Sequence, residues 1–164
     1  MQFATHYPEM VEKMVVVDIG PKSYVGGHET IIQALNELPL EKIDDRKEAD
    51  AFLAERIPDF GVRQFLLKNL TREKEGGYRW KMILPILTRD YPAILENIEP
   101  AESYDGPALF IRGEQSNYIQ DGDLSLIQET FPAAELQTIA KAGHWVHAQQ
   151  PKALYEAVRA FLAR

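Results

Sequence analysis

With 164 residues, 45% of them hydrophobic and 26% charged, the chain has the length of one domain and the balance of a globular protein. Eighteen Lys and Arg against 25 Asp and Glu leave a net charge of −7, which argues against nucleic acid or an anionic membrane as the main partner. There is no cysteine, so disulfides, thiolate catalysis and cysteine metal sites are excluded, and no apolar run approaches the ~20 residues of a membrane-spanning helix.

In chain order, the first residues, Met1-Gln2-Phe3-Ala4-Thr5-His6-Tyr7-Pro8, lack the basic and apolar regions of a signal peptide, so a cytoplasmic protein is the expectation. Residues 1–6 read as the last turns of a helix with Phe3 on its apolar face, ended by Tyr7-Pro8. The stretch 11–19 follows, with Met14-Val15-Val16-Val17 as a continuous apolar run suited to a parallel strand buried on both faces. It ends in Asp18-Ile19-Gly20-Pro21. A carboxylate at the C-terminal end of a parallel strand sits where open α/β sheets bind ligands, although a turn-capping role fits the same position.

From residue 22 to about 100 the pattern becomes helical, over 29–38, 46–57, 58–70, 84–88 and 91–98, with a short Tyr78-Arg79-Trp80-Lys81-Met82 strip after Gly76-Gly77. The expectation is an all-helical insertion between sheet elements, and such insertions often form lids over active sites. Sheet pattern returns at 107–111, followed by a helix over 121–131, a strand over 135–139 and a helix opened by Pro151 with Leu154, Val158, Phe161 and Leu162 as its apolar stripe. Between the last strand and helix lies Ala142-Gly143-His144-Trp145-Val146-His147. A histidine on such a loop suits a general base, because imidazole exchanges protons near neutral pH. The order predicts an α/β protein with a parallel sheet, divided into 1–21, a helical insertion over 22–100, and 101–164. His28, in Gly26-Gly27-His28-Glu29, begins a helix; no His-Glu-x-x-His spacing supports a metal site.

Taken together, Val15-Val16-Val17-Asp18-Ile19-Gly20-Pro21, Gln64-Phe65-Leu66-Leu67-Lys68-Asn69-Leu70, Leu109-Phe110-Ile111-Arg112-Gly113 and Ala142-Gly143-His144-Trp145-Val146-His147-Ala148 stand in an order that resembles the α/β-hydrolase fold, and within it the small YbfF-like esterases. The resemblance covers essentially the whole chain. In that family the catalytic serine sits on a G-x-S-x-G elbow between a strand and a helix. No such motif occurs here: Ser23, Ser103, Ser116 and Ser125 lack glycines at the required spacing. Residues 1–8 resemble the end of the family helix that follows the elbow. The resemblance therefore implies a C-terminal portion with the last three of eight parallel strands, the nucleophile and oxyanion-hole donors lying outside it.

Residue by residue, the resemblance implies His144 as the base, with His147 as a loop or supporting residue, and Asp18 as the acid. Many α/β hydrolases carry the acid after the strand at 108–111, where this chain has Ser116; a serine cannot balance an imidazolium charge, and YbfF-like esterases resemble this chain in using an aspartate after the preceding sheet strand. Asp90, in Thr88-Arg89-Asp90-Tyr91, is the alternative acid, or else a helix cap, with Glu114 and Asp121 behind it. The implied chemistry is hydrolysis of small carboxylic esters through an acyl-enzyme, without cofactor or metal, and without activity in these residues alone. The strand over 14–17 would form a sheet edge open to an N-terminal half chain or a second copy. A non-catalytic interaction domain using that edge, and a thioesterase or amidase of the same fold, are the other readings.

Overall fold

β-branched and apolar runs build a three-stranded sheet from β1 (Met14–Val17), β4 (Ala108–Gly113) and β5 (Ala134–Ile139). The order is β1-β4-β5 and both pairings are parallel, with Val16 opposite Phe110 and Phe110 opposite Leu136. This computed structural model describes residues 1–164 and divides them into two units, Met1–Ser23 with Asn97–Arg164, and Tyr24–Glu96.

The period-two alternation of β4 explains the layering of the first unit. Ala108 and Phe110 face a core with Val16 of β1, Ala4 of α1 (Gln2–His6), Ile127 of α6 (Asp123–Thr130) and Phe131 just after that helix. Leu109 and Ile111 face the opposite core with Val146, Ala157 and Phe161, from α7 (Val146–Gln149) and α8 (Pro151–Leu162). With both faces covered, β4 is buried along its length apart from Arg112, as expected of a central parallel strand. Arg112 instead donates to Thr138 Oγ1 and to the Ile119 carbonyl, and pairs with Asp121.

β1 is shorter than the 11–19 run and lies at the sheet edge, with Val17 and Ile19 exposed. In α1 the buried residues are Ala4 and Thr5, and Phe3 is 55% exposed, so the expected apolar face of that helix points the other way. Phe3 instead meets Tyr7 at 5.2 Å between ring centroids, and Met10 is exposed too, which leaves an apolar strip on the surface.

The second unit is not all helical. α2 (Glu29–Glu37), α3 (Arg46–Ala54), α4 (Phe60–Leu67) and α5 (Leu84–Ile94) are joined by an antiparallel hairpin of β2 (Leu70–Arg72) and β3 (Tyr78–Trp80). Gly76 and Gly77, both at positive φ, make its turn. Asp45 caps α3 through the amides of Lys47 and Glu48, and Asp59 caps α4 through that of Val62. Leu35, Leu53, Leu67, Leu70, Trp80 and Leu84 meet in its core, where the Trp80 indole donates to the Leu35 carbonyl at 3.2 Å. α5 runs unbroken through Pro92, where a break at residues 88–91 was expected. Phe60 and Phe65, at apolar positions of α4, are exposed on this unit.

Candidate active site

Three loops leave the carboxyl ends of the parallel strands, and each supplies one polar side chain to a common point. Asp18 follows β1, Ser116 follows β4 and His144 follows β5. Asp18 has φ 54°, in the left-handed region that aspartate visits more readily than most residues. Its amide still donates to the Ile111 carbonyl at 2.7 Å, extending the β1–β4 ladder by one rung. The twist turns the side chain inward, and the residue is completely buried. A buried carboxylate is tolerated only where its oxygens are satisfied. Here Oδ1 accepts from the Gly113 amide at 3.0 Å, while Oδ2 accepts from the Ser116 hydroxyl and meets His144 Nδ1 at 2.8 Å.

A carboxylate can only accept, so Nδ1 of His144 carries the proton in this pair. In the neutral ring that leaves Nε2, at the opposite edge, as the acceptor. The side chain of His144 is 45% exposed against 1% for Asp18, so an inner acid backs an outer imidazole. The Tyr118 ring stacks on the imidazole, with centroids 3.9 Å apart and planes 17° apart.

The loop bearing His144 is held from several sides. Lys141 takes φ 59°, and its amide donates to the Glu114 carboxylate at 2.9 Å. The Gln115 amide donates to the Ala142 carbonyl at 2.8 Å, and the Gly143 amide to the Gln149 side chain. Gly113 is required by packing: a Cβ there would lie 2.2 Å from the Gly143 carbonyl oxygen and 2.5 Å from that of Ala142. The two loops thus meet backbone to backbone.

Of the residues singled out by sequence, Asp18 and His144 share a hydrogen bond. Asp90 lies within α5 rather than capping it, and both its oxygens accept from Arg89, at 2.6 and 2.7 Å. The Arg89 bond, offset by a small desolvation, holds the Asp90 carboxyl below the usual carboxylate range. Glu114 serves the Lys141 amide and Asp121 pairs with Arg112. His147 lies in the short helix α7, and His28, just ahead of α2, meets the Tyr91 hydroxyl through Nδ1 at 2.9 Å. The other serines are engaged elsewhere: Ser23 Oγ accepts from the Asn97 amide, Ser103 donates to Asp105, and Ser125 donates to the Gly122 carbonyl.

No family model matches the chain. Known proteins do resemble it closely. The sn-1-specific diacylglycerol lipase ABHD11 of Mus musculus is 39% identical over 171 residues, covering 99% of this chain and 55% of that protein. Esterase YbfF of Escherichia coli is 36% identical over 155 residues, covering 94% of this chain and 59% of YbfF. A solved marine microorganism esterase superposes with a TM-score of 0.93 at 38% identity, covering 97% of this chain and 64% of that one. The chain is a homologue of the YbfF-like α/β-hydrolases. It spans about half the length of the curated relatives it matches.

Within this α/β-hydrolase framework, sequence reasoning missed three contributors. By sequence Ser116 fits neither an elbow nucleophile nor the acid, whereas in the fold it is a donor to the buried carboxylate. Tyr118 carried no signal beyond being an aromatic two residues on. Gly113 was legible only as a glycine at a strand end, and the reason for it, the close approach of the 142–143 backbone, is a tertiary contact.

Proposed function

We propose that these residues supply the acid and base of a serine hydrolase of small carboxylic esters, with Asp18 as the acid and His144 as the base. The observation that carries the reading is the hydrogen bond between a buried, fully satisfied carboxylate and a half-exposed imidazole, at the strand ends where α/β sheets bind ligands. The names of the relatives, an esterase and a diacylglycerol lipase, support an ester as the substrate.

In this mechanism Nε2 of His144 takes the proton of a serine hydroxyl as its oxygen attacks the ester carbonyl. Asp18 stabilises the imidazolium and holds the ring in the tautomer that leaves Nε2 free. The imidazolium then protonates the departing alcohol, and a water activated by the same nitrogen releases the acid from the acyl-enzyme. Because Ser116 donates to Asp18, on the Nδ1 side of the ring, it is unsuited to be that nucleophile. The serine and the oxyanion-hole donors would come from polypeptide outside residues 1–164, and the segment Tyr24–Glu96 would act as a lid. The exposed edge of β1 and the strip of Phe3, Tyr7 and Met10 offer that polypeptide a strand to pair with and an apolar surface to cover.

The test is an assay with a short p-nitrophenyl ester and a fluorophosphonate probe for activated serines. Residues 1–164 alone should show neither turnover nor labelling. A single polypeptide joining them to the nucleophile-bearing half of a YbfF-like esterase should show both, and Asp18→Asn or His144→Ala should lower kcat by a factor on the order of 10³–10⁴. Turnover by residues 1–164 alone that His144→Ala abolishes would put the nucleophile inside them and sink the proposal, as would joined-chain activity indifferent to both substitutions.

A further inference from the structure

We propose that Tyr118 is a positioning residue for His144, fixing the plane of the imidazole while Asp18 fixes one of its edges. The meaning of that role for catalysis rests on the hydrolase reading above; its physical content does not. A single hydrogen bond fixes a point and leaves a ring free to pivot about the donor–acceptor line. With Nδ1 tied to Asp18 at 2.8 Å and the side chain 45% exposed, such a pivot would sweep Nε2 through an arc. The Tyr118 ring, 3.9 Å away and nearly parallel, removes that freedom.

Tyr118 suits the task because its own backbone is anchored on both sides. The Ser116 amide donates to the Gly113 carbonyl at 3.0 Å, and the Tyr118 amide donates to Ser116 Oγ at 3.2 Å. Ile119, the next residue, is buried in the core beneath the sheet, and its carbonyl accepts from Arg112. The Ser116 hydroxyl in turn donates to Asp18 Oδ2, the oxygen that meets His144. Two residues of one short turn therefore hold the pair: Ser116 contacts the acid and Tyr118 the base. Without the stack the acid would still be held, but the base would be free to turn.

The experiment is proton NMR of isotope-labelled residues 1–164, unmodified and as Tyr118→Phe, Tyr118→Leu, Tyr118→Ala and Asp18→Asn. Two signals are followed: the carbon-bound imidazole protons of His144, shifted upfield by a ring stacked on them, and the Nδ1 proton, whose exchange with water reports how firmly it is held. Tyr118→Phe should match the unmodified chain in both. Tyr118→Leu and Tyr118→Ala should lose the upfield shift and exchange the Nδ1 proton about three- to tenfold faster, the range implied by an aromatic pair. Exchange unchanged to within about twofold in the Leu and Ala chains would overturn the proposal, as would Tyr118→Phe behaving like Tyr118→Leu. If neither the Leu nor the Ala chain folds, Tyr118 is a packing residue and the proposal also fails. Asp18→Asn identifies the Nδ1 signal by abolishing it. Absence of that signal from the unmodified chain would count against the acid–base reading, leaving the ring shifts to judge the stack separately.

Discussion

Gly113→Ala is the substitution that tests most directly how the His144 loop is held. One methyl group is added, at a position where the nearest atoms belong to backbone rather than to a yielding side chain. The new Cβ would lie 2.2 Å from the Gly143 carbonyl oxygen, where ordinary contact begins at 3.4 Å, so the two strand-end loops must part by about 1.2 Å. Overpacking of this kind costs about 1–3 kcal/mol. Parting the loops also stretches the bond from the Gln115 amide to the Ala142 carbonyl, worth about 1 kcal/mol. The Gly113 amide, which donates to Asp18 Oδ1, moves with the loop, so the buried carboxylate loses part of its satisfaction as well. A destabilisation of about 2–4 kcal/mol follows; with a urea m-value of about 2 kcal/mol/M, the unfolding midpoint should fall by about 1–2 M. Urea titration followed by far-UV circular dichroism measures it, and the His144 Nδ1 proton reports whether the pair survives. A midpoint within about 0.25 M of the unmodified chain, at equal m, would mean that the loops separate without cost and that the close approach does not hold the site.

Two further outcomes bear on parts of the chain away from this loop contact. Burial opposes ionisation of Asp123, but the Gln120 amide bond and Lys22 outweigh it, so its carboxyl sits below the ordinary value of 3.8. With its folded value depressed, the carboxyl contributes stability that is full above 3.8 and is lost as pH falls through the folded value; Asp123→Asn should therefore lower the urea midpoint at pH 7, with an effect that shrinks as pH drops below 3.8 and vanishes once pH is below the folded value, and an effect undiminished in strong acid would contradict the ion-pair account. Arg63 is 9% exposed, donates to the Ile57 and Pro58 carbonyls and pairs with Asp50 at 2.9 Å; Arg63→Leu should destabilise the Tyr24–Glu96 unit by about 2–4 kcal/mol, seen as loss of amide-exchange protection there, and unchanged protection would refute a structural role for the cluster.

What the sequence determined by itself was the kind of elements and their order. The continuous apolar runs ahead of Asp18 and over 107–111, and the helical stripe of Leu154, Val158 and Phe161, are local patterns that hold whatever surrounds them. They suffice for a parallel sheet with helices on its faces, and for putting Asp18 and His144 at strand ends. The failures have a common cause. Phe3 and Phe65 are apolar by type, but whether a face is buried depends on what lies opposite, and both are exposed. Leu70 read as the end of a helix over 58–70, because the pairing of residues 70–72 with Tyr78-Arg79-Trp80 is invisible to a local window. Asp90 resembled a cap because Pro92 commonly marks a helix boundary, and here Pro92 is accommodated within α5.

Only the tertiary structure decided how the site is assembled. Asp18 and His144 are 126 positions apart, and their 2.8 Å contact depends on β4 lying between β1 and β5 in parallel register. The same register brings Gly113 against residues 142 and 143, puts the Ser116 hydroxyl on the buried carboxylate, and lays Tyr118 on the imidazole. A local pattern specifies which face of a strand or helix a side chain takes; which partner it meets there is set by strand order, and strand order is a property of the folded chain.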